Sequence, residues 1–166
     1  MTKTKPLFFV YAFSLMLCIT FILGTAQNLP PVVASHFNLS GKPDASMSRD
    51  QFTNLFLAIM VLTSSLMALL PTLIAKLPPQ MINIPNRMHW LSPDRIDETK
   101  QILKAYLLIF ASKLCCFMAV IFWLIVQAHL HNPPQLSAHY LMATTVVFVI
   151  LTLYWSLRLS KQFKTI

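Results

Sequence analysis

Two stretches of this chain, Pro6 to Leu29 and Phe52 to Ala75, contain no charged residue. About 20 apolar residues in helical form span the ~30 Å hydrocarbon core of a bilayer. Water is absent there, so a crossing segment must satisfy its own backbone hydrogen bonds, which selects helices. Two further runs are nearly as clean. One extends from about Ala105 to Gln127 and is broken only by Lys113; the other follows Ala138. With 11% charged residues against 56% hydrophobic and a mean hydropathy of +0.63, the chain cannot cover a globule with a water-facing surface. The expected fold is an all-α integral membrane protein, one polytopic domain over 1–166. Its four transmembrane helices are expected at about 7–28, 49–76, 93–128 and 138–160. A structured outer loop, 29–48, joins the first two, and an inner loop, 77–92, joins the second and third.

Local signals set these boundaries. Lys3 and Lys5 precede the first run, and Gly24-Thr25-Ala26 resembles a small-residue cleavage site. The run of about 20 residues nevertheless exceeds the roughly 7–15 of a signal-peptide core, so it reads as a first membrane helix. Pro30-Pro31 stops it. Ser48 and Gln51 form a capping box opening the second helix, with Asp50 in its first turn. Pro71 should bend that helix, and Thr63, Ser64 and Ser65 offer a small-residue patch for close helix contact. Ser92 reads as the N-cap of the third helix, with Pro93 in its first position and Asp94, Asp97 and Glu98 near the positive end of its dipole. At ~1.5 Å per residue this helix is ~50 Å long, so its first turns should project from the membrane, which begins near Ala105. Tyr154 and Trp155 sit where interface aromatics do.

Four crossings put the N-terminus, the 77–92 loop and the C-terminus on one side. Ten of the thirteen Lys and Arg residues fall on that side, Lys42 and Arg49 on the other, and Lys113 within the membrane. Cytoplasmic loops carry such an excess, so both termini are expected in the cytoplasm. The net charge of +8 reflects this placement. It gives no clustered basic arm, and no nucleic-acid partner is expected; the certain partner is the bilayer.

The 29–48 loop is the longest polar interruption. Val32 to Leu39 alternates weakly, with Val33, Ser35, Phe37 and Leu39 on one side and Val32, Ala34, His36 and Asn38 on the other, as a short strand would. Ser40-Gly41-Lys42-Pro43-Asp44 is a turn cluster. His36 with Asp44 either holds the loop or meets a ligand. His36, His129, His131 and His139 all fall on the outer side. Imidazole with a carboxylate suits zinc or copper, but the spacing fits no strong metal motif; helix-end capping or pH sensing accounts for the same histidines. Inside, Trp90 beside Asn83, Asn86, Asp94 and Arg95 reads either as an exposed partner anchor or as a headgroup-level tryptophan. Lys113 reads as a snorkelling side chain or as an intramembrane contact. Cys18, Cys115 and Cys116 lie within apolar runs and read as small packing residues.

There is no G-x-S-x-G, H-E-x-x-H or P-loop sequence and no intramembrane carboxylate pair, so no enzyme and no cofactor are expected. The outer stretch LPPVVASHFNLSGKPD, Leu29 to Asp44, resembles a bacterial membrane domain of unknown function, the 1648 family, related to the family of a sporulation-delaying-toxin immunity protein. The inner stretch INIPNRMHWLSPDRIDET, Ile82 to Thr99, is similar to a second segment of such chains. The resemblance implies an uncharacterised multi-pass protein of the bacterial cytoplasmic (inner) membrane, without assigned catalytic residues. By match it singles out His36, Asn38, Gly41 and Asp44 outside, and Asn83, Pro85, Trp90, Pro93 and Arg95 inside. The function expected is non-enzymatic recognition of a peptide, lipid or membrane protein, in immunity, sensing or regulation. An accessory subunit of a larger membrane complex or transporter is the first alternative, and an extracytoplasmic metal-binding protein the second.

Overall fold

A computed structural model of the chain describes residues 4–38, 40–74 and 76–164. Lys3, Leu39 and Ala75, to which the charge count, the strand alternation and the second helix extend, lie outside them. The order of elements is α1 (Thr4–Ala26), β1 (Val32–Phe37), β2 (Pro43–Ser48), α2 (Arg49–Ile74), a 3-10 turn (Pro79–Met81), α3 (Arg87–Trp90), α4 (Ile96–Ala128) and α5 (Ala138–Lys164). Helices α1, α2, α4 and α5, of 23, 26, 33 and 27 residues, are long and apolar enough to cross a membrane. The small two-stranded sheet is the one departure from an all-helical architecture among the described residues.

Helix α4 is the hub, with α1 and α2 packed on one side and α5 on the other. Its buried positions Leu108, Ala111, Cys115, Ala119, Phe122 and Val126 recur every three or four residues, one stripe along the helix. Three of them, Ala111, Cys115 and Ala119, are small. Small residues four apart let helix backbones approach closely where apolar burial alone supplies little driving force in lipid. Opposite them stand Tyr11, Cys18 and Ile22 of α1 and Phe52 and Met60 of α2. Phe52 stacks on Phe122 with ring centroids 5.9 Å apart.

Ser64, fully buried, and Ser65 face α1, where the Tyr11 hydroxyl lies 3.4 and 3.1 Å from their Oγ atoms. Thr63 is not part of this contact; its hydroxyl donates to the Ile59 carbonyl of its own helix. Around α5 the packing is aromatic. Phe117 stacks on Phe148 at 4.2 Å, and Trp155 donates its indole N–H to the Tyr106 carbonyl at 3.0 Å. Along the whole of α5 only Phe163 is buried.

The long third helix begins later than its sequence suggests. Ser92 does not cap it; Arg95 occupies the cap position and no side chain bonds there. The Ser92 hydroxyl instead donates to the His89 carbonyl, while the Ser92 carbonyl receives the N–H groups of Arg95 and Ile96. The cause is α3. Its Trp90 is buried, so the chain must reverse between Trp90 and Ile96, and Ser92 and the exposed Pro93 form that reversal.

Trp90 is thus neither an exposed anchor nor a headgroup tryptophan, being only 5% exposed. It forms a second core with Ile102, Leu103 and Phe163. Its indole N–H donates to the Phe163 carbonyl at 3.0 Å, and its own carbonyl accepts from the buried Thr99 hydroxyl at 2.6 Å. The Arg95 guanidinium lies 4.9 Å from the ring centroid and also meets His89 and Glu98. Asn86, held at a left-handed φ of 49°, donates to the carbonyls of Phe163 and Lys164. The 76–95 segment therefore ties down the last turn of α5, whose carbonyls have no partners within the helix. Asn83 is exposed and Pro85 half-buried, away from this network.

Candidate binding site at the hairpin end

Between α1 and α2 the chain makes a β-hairpin. Val32 pairs with Ser48, Val33 with Met47 and Ala34 with Ser46. Register then slips twice, once on each strand, so that His36 faces Ala45 and Phe37 faces Pro43. The simple alternation expected from sequence is lost at this point: Val33 and Ala34, neighbours in sequence, are both buried. The second slip leaves Asp44 unpaired in the ladder, and its carboxylate accepts from His36 Nδ1 at 2.5 Å. The side chains are 70% and 44% exposed, so water screens the pair. We expect His36→Ala to change the unfolding free energy by less than ~1 kcal/mol, as measured by thermal or denaturant titration.

Asn38 builds the turn. Its Oδ1 accepts from the Ser40 N–H, the Ser40 hydroxyl and the Lys42 N–H at 2.9–3.0 Å. Gly41 takes φ +75°, and a Cβ placed there would lie 2.2 Å from the Leu136 carbonyl oxygen. Glycine is required twice over, by conformation and by contact. The Leu136 N–H donates to the Gly41 carbonyl at 3.0 Å, clamping the hairpin tip to the loop between α4 and α5. The capping box is present at the other end of β2, with Gln51 N–H to Ser48 Oγ at 3.3 Å and Ser48 N–H to Gln51 Oε1 at 3.4 Å.

A second clamp is His129. Its Nε2 accepts the Ala34 N–H at 2.9 Å and its Nδ1 donates to the Ile125 carbonyl at 2.7 Å. Phe37 packs edge-on against the ring at 6.0 Å. Both ring nitrogens are occupied, and among the described residues no three His, Cys, Asp or Glu side chains gather in a way that could hold a metal ion. The structure does not assemble His36, His129, His131 and His139 into one site. Replacing His129 by Ala strands the Ala34 N–H in a part-buried position. We expect a loss of about 1–3 kcal/mol and faster hydrogen exchange at Ala34.

The clamps border a cavity of about 560 Å³ between the end of α4 and the start of α5. Its wall combines Trp123 and Tyr140 with Gln127, His131, Gln135 and Ser137. Leu136, held by Gly41, also lines it, and Gln135 is fixed by donating its N–H to the Ala128 carbonyl at 3.1 Å. Two aromatic faces, two amides, a hydroxyl and an imidazole suit a ligand with an apolar body and a polar end. Sequence reasoning did not single out Trp123, Gln127, Gln135 or Tyr140. The available signal was the pair of glutamines flanking the histidine-bearing loop, polar groups at the edge of two apolar runs.

The fold defines the class: four helices of membrane length make a multi-pass membrane protein. Within it, residues 13–62, from α1 through the hairpin into α2, match the sequence model of a family described as a domain of unknown function (DUF1648). The stretch 82–99 lies outside the match. No curated protein and no solved structure matches the chain.

Proposed function

We propose that the chain is a non-enzymatic recognition protein of the bacterial inner membrane, binding an amphipathic peptide or lipid-like ligand at its hairpin end, in an immunity, sensing or regulatory role. One observation carries the reading: the hairpin tip fixes Leu136, a wall residue of the cavity beside Trp123 and Tyr140. The matched segment thereby shapes a site that it does not itself line. The hairpin end is the outer face in this reading. It carries Lys42 and Arg49, whereas the opposite end carries the termini and most of the basic residues, as a cytoplasmic side does.

Trp123 is the sole tryptophan near the cavity, because Trp90 and Trp155 lie at the other end of the bundle. In protein reconstituted in neutral lipid, titration with a synthetic amphipathic helical peptide or a lysophospholipid should give a saturable change in Trp123 emission. Trp123→Phe should abolish it and Tyr140→Ala should weaken binding about tenfold, the ~1.4 kcal/mol of one lost aromatic contact. A response unchanged in both variants refutes the site. The bareness of α5 supports a second reading, an accessory subunit docked through that helix. Native mass spectrometry after mild extraction separates the two: a lone monomer or homodimer counts against the subunit.

A further inference from the structure

We propose that the groove between α4 and α5 seats one anionic phospholipid from the leaflet on the side of the termini, its acyl chain lying in the groove and its phosphate on Lys113. The groove, about 330 Å³, is walled by apolar side chains including Phe117, Val120, Val147, Phe148 and Leu151, with Lys113 among them. Lys113 is half-buried, and among the described residues no hydrogen bond or ion pair engages it. A cation in an apolar wall is costly unless an anion or water reaches it. The chain places no carboxylate anywhere in its four apolar runs, so the anion must come from outside.

Geometry selects the kind of anion. Lys113 stands seven residues from Tyr106, whose carbonyl bonds Trp155 near the terminal end, a rise of ~10 Å. Side chains on a helix lean toward its N-terminus, and the N-terminus of α4 is at the terminal end. The amine can thus snorkel toward the headgroups of that leaflet. From Lys113 and Leu151 the groove runs toward the hairpin end, past Phe117 and Phe148 to Val120 and Thr144. An acyl chain hanging from a headgroup follows the same direction. The stacked pair Phe117–Phe148 joins the two helices across the groove, and a volume of about 330 Å³ suits a slender acyl chain better than another helix of ~10–12 Å diameter. Basic sites between membrane helices commonly take acidic headgroups in this manner. The seat is separate from the cavity at the hairpin end and does not depend on which compartment holds the termini.

The test is native mass spectrometry of the full chain released from vesicles of equal phosphatidylglycerol and phosphatidylcholine. One retained phosphatidylglycerol is expected, about fivefold over phosphatidylcholine, as one lysine near a membrane surface provides. Lys113→Gln should reduce the ratio to about one, and Lys113→Arg, which keeps the charge, should preserve it; a matching melting temperature for both variants certifies their folding. Equal retention of the two lipids, or a preference surviving in Lys113→Gln, overturns the proposal. So does retention of added oleate in place of phosphatidylglycerol, which would make the ligand a free carboxylate. Cross-linking of Cys116, which is exposed and lines the groove, to Cys116 of another chain would place a second copy there and equally refute it.

Discussion

Gly41→Ala destabilises the protein by about 2–3 kcal/mol, while Gly24→Ala, the same change at the chain's other glycine, is neutral or stabilising by up to about 1 kcal/mol. The opposite signs follow from surroundings. Gly24 is inside α1, and a Cβ there meets nothing within 4 Å. Alanine at that position relieves the helix of glycine's extra entropy loss. Gly41 holds φ +75°, which costs an L-residue roughly 1–2 kcal/mol, and its new Cβ would stand 2.2 Å from a backbone oxygen that cannot swing aside as a side chain does. The hairpin tip must therefore leave Leu136, breaking the Leu136 N–H to Gly41 carbonyl bond. Thermal unfolding in detergent measures the sum, and hydrogen exchange at Leu136 locates it. A Gly41→Ala protein with unchanged melting and an unchanged Leu136 amide would show that the clamp is not formed. Because Leu136 lines the cavity, the same variant should weaken ligand binding there without altering a lining side chain.

At the opposite end, Trp90→Ala is expected to lower stability by about 3–5 kcal/mol, the range for removing a buried aromatic. The change empties the centre of the second core and releases the Phe163 carbonyl and the Arg95 guanidinium together. Trp90→Phe keeps most of the apolar volume and removes the indole N–H, so its cost should be nearer 1 kcal/mol. The damage should be directional. With Trp90 gone, the Phe163 carbonyl loses its indole donor and keeps the Asn86 amide, and proteolysis after Arg158 or Lys161 should accelerate while the hairpin end stays protected. Equal loss of protection at both ends would mean that the two cores unfold as one unit. The gap between the alanine and phenylalanine variants separates packing from hydrogen bonding. If the two cost the same, the indole bond rather than the buried ring is the main contribution.

The two regions differ in how far residue order alone foretold them. The turn was legible, because Ser-Gly-Lys-Pro-Asp is a cluster of residues with local turn chemistry, and the capping box was legible for the same reason. Strand β2 was not. Pro-Asp-Ala-Ser-Met-Ser holds no β-branched or aromatic residue, and it is extended only because β1 offers it an edge. Trp90 illustrates the converse error. Its polar and proline neighbours suggested exposure, but its burial depends on Phe163, 73 residues away. Ser92 had the right chemistry for a cap and the wrong helix, since it serves the end of α3 rather than the start of α4.

Residue order by itself determined the four membrane-length helices, because run length and the absence of charge are properties each segment carries alone, and lipid allows such a segment only one regular backbone. It also determined the glycine turn and the segregation of basic residues toward one end. Only the tertiary structure decided that His129 is a clamp on Ala34, that Gly41 reaches the cavity wall, that Trp90 is core and that Lys113 faces a groove. Each of these joins groups from distant parts of the chain. Ala34 and His129 are 95 residues apart, and their contact exists because α4 packs against α1 and α2 and carries its far end to the hairpin.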